Sequence, residues 1–119
     1  MTRILFLVAL VLVSQTPSVF AFDQGEKLAG APLKEKAVWI ERLASESSER
    51  ATRILQLWLD GELVYWREVD NLVRGIKEGR KYRLETLVSG EHLATVASRE
   101  IKRVKTNNSL RKELKQTLG

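Results

Sequence analysis

Ile54-Leu55-Gln56-Leu57-Trp58-Leu59-Asp60-Gly61-Glu62-Leu63-Val64-Tyr65 changes its hydrophobic period in the middle, across one Asp-Gly step. Before the step, Ala51, Ile54, Leu55, Trp58 and Leu59 recur at three- and four-residue spacing, which predicts a helix over residues 49–59. Asp60-Gly61 ends it, because glycine accepts the left-handed conformation that helix termini commonly need. After the step, Leu63-Val64-Tyr65-Trp66 is rich in residues that favour strands.

Working toward the N-terminus, Leu33, Ala37, Ile40 and Ala44, widened by Trp39 and Leu43, predict a second helix over residues 33–44. Ser45 to Ser48 separates the two helices, and Ser47 or Ser48 is suited to cap the later one. So short a connection predicts an antiparallel helical hairpin. Trp39 and Trp58 are expected in its core. Residues 22–32 contain two glycines and a proline and read as a flexible lead-in.

Working toward the C-terminus, Leu72 to Ile76 is able to pair with the first strand. Lys77 to Arg80 reads as a turn, and Tyr82, Leu84, Thr86 and Val88 alternate as another half-buried strand. Ser89-Gly90 is a further turn. Ser98 is placed to cap a short helix carrying Ile101 and Val104. Asn107 or Asn108 is placed to cap a last helix from Ser109 to Leu118, with Leu110, Leu114 and Leu118 in one stripe. The expected fold is therefore mainly α with a small β insertion. It comprises a HEAT-like helical hairpin over 33–60, a β-hairpin or meander over 62–88 and C-terminal helices over 97–119.

The first residues bear on the compartment. Met1-Thr2-Arg3 is a basic start, Ile4 to Val13 is apolar throughout, and Val19-Phe20-Ala21 offers small residues before a cut. This is the layout of a signal peptide cleaved after Ala21, which predicts an exported, periplasmic protein; the alternative is an uncleaved N-terminus anchored in the inner membrane. An apolar run of ten falls short of the roughly 20 residues that cross a bilayer, and no later segment is apolar enough to form a channel span.

Charge is unevenly distributed. Residues 22–70 hold seven basic and ten acidic side chains, and residues 71–119 hold twelve basic and five acidic. Arg99, Lys102, Arg103, Lys105, Arg111, Lys112 and Lys115 make the densest basic stretch and the candidate interaction surface, either for an acidic protein or for an anionic membrane surface. Arg99, Lys102, Arg103 and Lys105 are expected on a shared side of the short helix. Export argues against nucleic acid as the partner.

The side chains that catalysis requires are scarce. With no cysteine and one histidine, His92, a Cys/His metal site is excluded. No nucleophile turn surrounds a serine, and no glycine-rich loop is present to cradle phosphate. His92 reads as an exposed loop residue. Asp60, Glu62, Glu68 and Asp70 lack calcium-loop spacing and read as a solvated face. A non-enzyme without metal or cofactor is expected.

Two motifs carry a family resemblance. Residues 54–65 resemble the leucine-rich helix, Asp-Gly turn and strand entry found in the N-terminal extracytoplasmic segment of the permease subunit of urea ABC transporters. Val104-Lys105-Thr106-Asn107-Asn108-Ser109-Leu110-Arg111-Lys112-Glu113-Leu114 is similar to that family's V-x-x-N-N-x-L-R-x-x-L helix opening. The resemblance implies a module, a fragment or truncated relative of that segment, that acts by protein contact with other components of a urea or short-amide transporter. It implies no substrate-contacting residue, because the channel and the binding protein handle the solute in that family.

Overall fold

In a computed structural model of the protein, residues 25–119 are described. The expected signal peptide and its cleavage point after Ala21 lie outside them. Four helices, α1 (Gly25–Gly30), α2 (Leu33–Glu46), α3 (Glu49–Asp60) and α4 (Asn108–Leu118), accompany five strands. The strands are β1 (Leu63–Trp66), β2 (Asn71–Glu78), β3 (Lys81–Glu85), β4 (His92–Ala97) and β5 (Ile101–Arg103), with a one-turn 3-10 helix over Ser98–Glu100.

The helix ends follow their local chemistry. Ser48 caps α3, its Oγ accepting from the Ala51 N–H at 3.0 Å. Gly61 closes the same helix at φ 81°, and the next N–H, that of Glu62, reaches back to the Leu57 carbonyl at 2.9 Å. Asn107 caps α4, its Oδ1 accepting from Leu110 N–H at 2.8 Å. Helices α2, α3 and α4 pack on one another, with Ile40, Ile54, Trp58 and Leu114 fully buried between them and the sheet. Trp39 is half-buried at the margin, with the Arg42 guanidinium 5.1 Å above its ring.

The expectation of a mainly α fold with a small β insertion is overturned by the sheet. Of the described residues, 48% are helical and 27% lie in strands. All five strands form one antiparallel sheet in the order β4-β3-β2-β1-β5. The segment expected as a C-terminal helix around Ile101 and Val104 is instead β5, which pairs with β1 through Trp66↔Ile101 and Tyr65↔Lys102. A three-residue spacing is ambiguous, because in a strand it sends side chains to opposite faces. Ile101 enters the cluster on one face of the sheet and Val104 the cluster on the other. Part of the expected flexible lead-in is α1, whose Leu28 and Ala29 are buried in the helix-side core.

The sheet is curled. Five strands laid flat would separate β4 from β5 by roughly 19 Å. Only the three residues Ser98–Glu100 join them, and a 3-10 turn of that length rises about 6 Å. The edges must therefore bend toward each other, and the inner face shows that they do. Val64, Trp66, Val73, Leu84, Val96 and Ile101, drawn from all five strands, form one buried cluster. The opposite face carries Leu63, Tyr65 and Leu72 toward the helices. Farther out, that face bears an ion-pair chain in which Arg74 meets Glu62 at 2.8 Å and Glu85 at 3.4 Å, and Arg83 meets Glu85 at 2.6 Å.

The β1–β2 turn is held by one charge-assisted bond. Asp70 takes a left-handed backbone, φ 52°, and its carboxylate accepts from the Tyr65 hydroxyl at 2.6 Å. That bond, aided by burial and by the charge of Asp70, pushes the Tyr65 phenol up to about 12. The protonated phenol is the form that folding favours. Its contribution to stability is complete below pH ~10 and is lost as pH rises through the folded value. In a Tyr82→Phe background, near-ultraviolet tyrosinate absorbance is expected to rise near pH 12, and Asp70→Asn should bring the midpoint back toward ~10. Unchanged titration in Asp70→Asn would contradict this assignment.

Candidate interaction surface

The segment from β5 into α4 lies across the C-terminal end of α3, and the two motifs quoted above meet there. Val104 N–H extends the β5 pairing to the Leu63 carbonyl at 3.1 Å. The Trp58 indole donates to the Lys105 carbonyl at 3.1 Å, and the Arg111 guanidinium donates to the Leu59 carbonyl at 3.0 Å. Each motif thus supplies the packing and caps that hold the other, although some 40 residues separate them in the chain. Arg111 is committed to satisfying an orphan carbonyl at the end of α3.

Beside this junction is an open groove of about 340 Å³ lined by Gly61, Arg103, Val104, Lys105 and Thr106. Lys102 and Arg103 are successive residues of a strand, so they project to opposite faces: Lys102 pairs across from Tyr65 on the helix side, and Arg103 across from Val64. This corrects the expectation that they share one side of a helix. Arg99 lies on the 3-10 turn at the other end of β5, and Lys112 and Lys115 are exposed on α4. The basic stretch is therefore divided, and its centre is Lys102, Arg103 and Lys105.

Sequence reasoning missed a fourth cation. Lys36 lies in the first turn of α2 and is only 3% exposed. Its Nζ donates to the Ala31 carbonyl. Burial, followed by the charges of Lys102 and Lys105, pulls its pKa below the usual lysine range. The signal was present in the spacing, since Lys36 stands four residues before Ile40 and seven before Leu43, inside the apolar stripe. Among the described residues, no carboxylate forms an ion pair with Lys36, Lys102, Arg103 or Lys105.

Lys36→Met should stabilise the fold by about 1 kcal/mol at neutral pH, since an apolar chain of similar length removes a buried charge. The sign follows from linkage. The folded pKa lies below the unfolded one, so the wild-type penalty is full below the folded value and disappears as pH rises through ~10.5. Urea melts at neutral and alkaline pH should show the gain shrinking with pH, and a loss of stability at neutral pH would refute it.

The other polar features near the surface, among the described residues, are engaged locally. A second groove of about 440 Å³ runs between the start of α3 and Val88, and Arg53, which spans it, donates to the Leu87 carbonyl at 2.9 Å. His92 begins β4 on the surface and lines neither groove. The acidic residues near the Asp-Gly turn are used locally, Glu62 with Arg74 and Asp70 with Tyr65. Among the described residues, no group of acidic or histidine side chains is placed to hold a metal ion, and no helix is long and apolar enough to cross a membrane. No family model matches the chain, and no curated protein or solved structure matches it.

Proposed function

We propose that this protein is a non-catalytic interaction module that docks an acidic protein surface at the groove between Gly61 and Thr106. The observation that carries the reading is that Arg103 and Lys105 both line this groove at the β5–α4 junction, with no carboxylate paired to either among the described residues. Unpaired cations at one place raise the local positive potential. They favour an anionic partner through both encounter rate and orientation.

The setting we propose comes from the two motifs. Their likeness to the extracytoplasmic segment of urea ABC transporter permeases makes the other components of a urea or short-amide transporter the first partners to test. The module would be exported and would contribute contact, leaving solute handling to the channel and the binding protein.

The test is binding of the full chain, by biolayer interferometry, to the purified solute-binding protein and channel subunit of such a transporter. Saturable binding to one of them is expected. Arg103→Glu with Lys105→Glu should weaken it by about tenfold or more, and added salt should weaken it further. Equal affinity in the double variant, or binding only to phosphatidylglycerol vesicles, would overturn the reading; the second outcome would make the surface a membrane-docking one.

A further inference from the structure

Strand β5 forms one edge of the sheet, and β1 is the only strand hydrogen-bonded to it. Two bonds identify which of its backbone groups face outward. The Glu100 carbonyl accepts from the Arg67 N–H at 3.2 Å, and the Val104 N–H donates to the Leu63 carbonyl at 3.1 Å. Along an antiparallel strand, residues alternate between pointing N–H and C=O at the neighbour and pointing them away. Glu100 and Val104 point toward β1, so Lys102 between them does too, opposite Tyr65. Ile101 and Arg103 point away. The Ile101 N–H turns back to the Ser98 carbonyl. That leaves the Ile101 carbonyl and both backbone groups of Arg103 on the free edge.

This edge borders the groove of about 340 Å³ lined by Gly61 and residues 103–106. The space beside Gly61 is open, since a Cβ there would meet no atom within 4 Å. Arg103 and Lys105, two residues apart, are both exposed at the groove. Neither is paired with a carboxylate among the described residues.

The geometry points to an extended acidic segment of the partner protein as the occupant, added antiparallel to β5 as a sixth strand, with acidic residues at every second position. This rests on the reading of the groove as the docking site for an acidic partner, and it adds the shape and spacing of what docks. Unpaired N–H and C=O groups along an edge are a template for strand addition. The partner residue opposite Arg103 exchanges two backbone bonds with it, and the next residue but one donates to the Ile101 carbonyl. Residues opposite one another in a sheet send their side chains to the same face. The partner residues that make the backbone bonds are therefore the ones whose side chains lie on the Arg103 face, and acids at those positions neutralise the cations. A second copy of β5 does not suit this edge. It would set basic residues against basic residues, which destabilises a strand pair, whereas an acidic segment turns the same charges into attraction.

The probe is a capped, fluorescein-labelled heptapeptide of alternating glutamate and threonine, titrated with the full chain and followed by anisotropy. Saturable binding is expected, and the matching lysine–threonine peptide should bind at least about tenfold more weakly. N-methylation of the two internal glutamates removes donors that face β5 and should weaken binding about tenfold. N-methylation of two threonines, whose N–H groups face solvent, should change it by less than about threefold. On the protein side, exchange of the Arg103 amide hydrogen should slow at least about tenfold when the peptide saturates the chain. Absence of saturable binding, equal losses in the two methylated peptides, or unchanged exchange at Arg103 would overturn the strand assignment. If the two methylated peptides bound alike while Arg103→Glu with Lys105→Glu still weakened binding to a transporter subunit, the groove would stand as a docking surface and the added strand alone would fall.

Discussion

Trp58→Ala is expected to cost about 3–5 kcal/mol, the range for truncating a fully buried tryptophan. A domain of this size has a total stability of roughly 5–14 kcal/mol, so much of it would be lost. Trp58 has no exposed surface and sits where α2, α3 and α4 converge on the sheet. It also holds the β5–α4 segment through its indole bond to the Lys105 carbonyl. Truncation would open a cavity and release that carbonyl together. Trp58→Phe separates the two losses: it keeps most of the packing and removes the bond, at about 1–2 kcal/mol. Urea denaturation followed by far-ultraviolet circular dichroism measures both. A Trp58→Ala midpoint close to wild type would mean that this residue does not organise the junction on which the proposed docking surface is built.

The helical layer was legible because its determinants are local. The caps at Ser48 and Asn107, the Asp60-Gly61 stop and the stripes of α3 and α4 all lie within a few residues of what they control. Strands β1 and β2 were legible for the same reason, and β3 in part: the alternation read through Val88, but the strand ends at Glu85 and Leu87 to Ser89 form a turn. The rest of the sheet depends on distant partners. β4 buries only Val96, so it carries little periodic signal. β5 is a strand because β1 has a vacant side, and nothing within Ile101-Lys102-Arg103 records that. α1 forms where Leu28 and Ala29 find the helix-side core, despite glycines at 25 and 30.

The candidate surface divides along the same line. The composition of the basic stretch was evident, but its geometry depended on whether residues 101–103 were helical or extended. Lys36 was hidden because a lysine inside an apolar stripe reads as an interruption, while its long methylene stem lets it occupy the stripe. The two motifs quoted for the resemblance have, in this fold, the job of joining α3, β1 and α4, and the functional weight of the proposal falls on the unpaired cations beside them.

Gly75→Val is the second large effect expected, and it tests how the sheet curls. Gly75 lies in β2 opposite Leu84, and its N–H donates to the Glu62 carbonyl at 2.8 Å. A Cβ at this position would stand 2.9 and 3.0 Å from the two Val64 methyl carbons of the neighbouring strand. Val64 is 1% exposed in the inner cluster and has no room to retreat. The missing side chain is what lets β1 and β2 close tightly enough for all five strands to share one interior. Gly75→Ala should cost about 1–3 kcal/mol by overpacking, and the larger valine at least as much. The strain is specific to one neighbour, so it predicts a coupling: Val64→Ala removes both clashing methyls, and the Gly75→Ala, Val64→Ala double variant should be more stable than the sum of the single losses by about 1 kcal/mol or more. Additive losses in urea melts would mean that Gly75 serves β2 in some way other than by yielding space to Val64, and the account of the curl given above would have to be replaced.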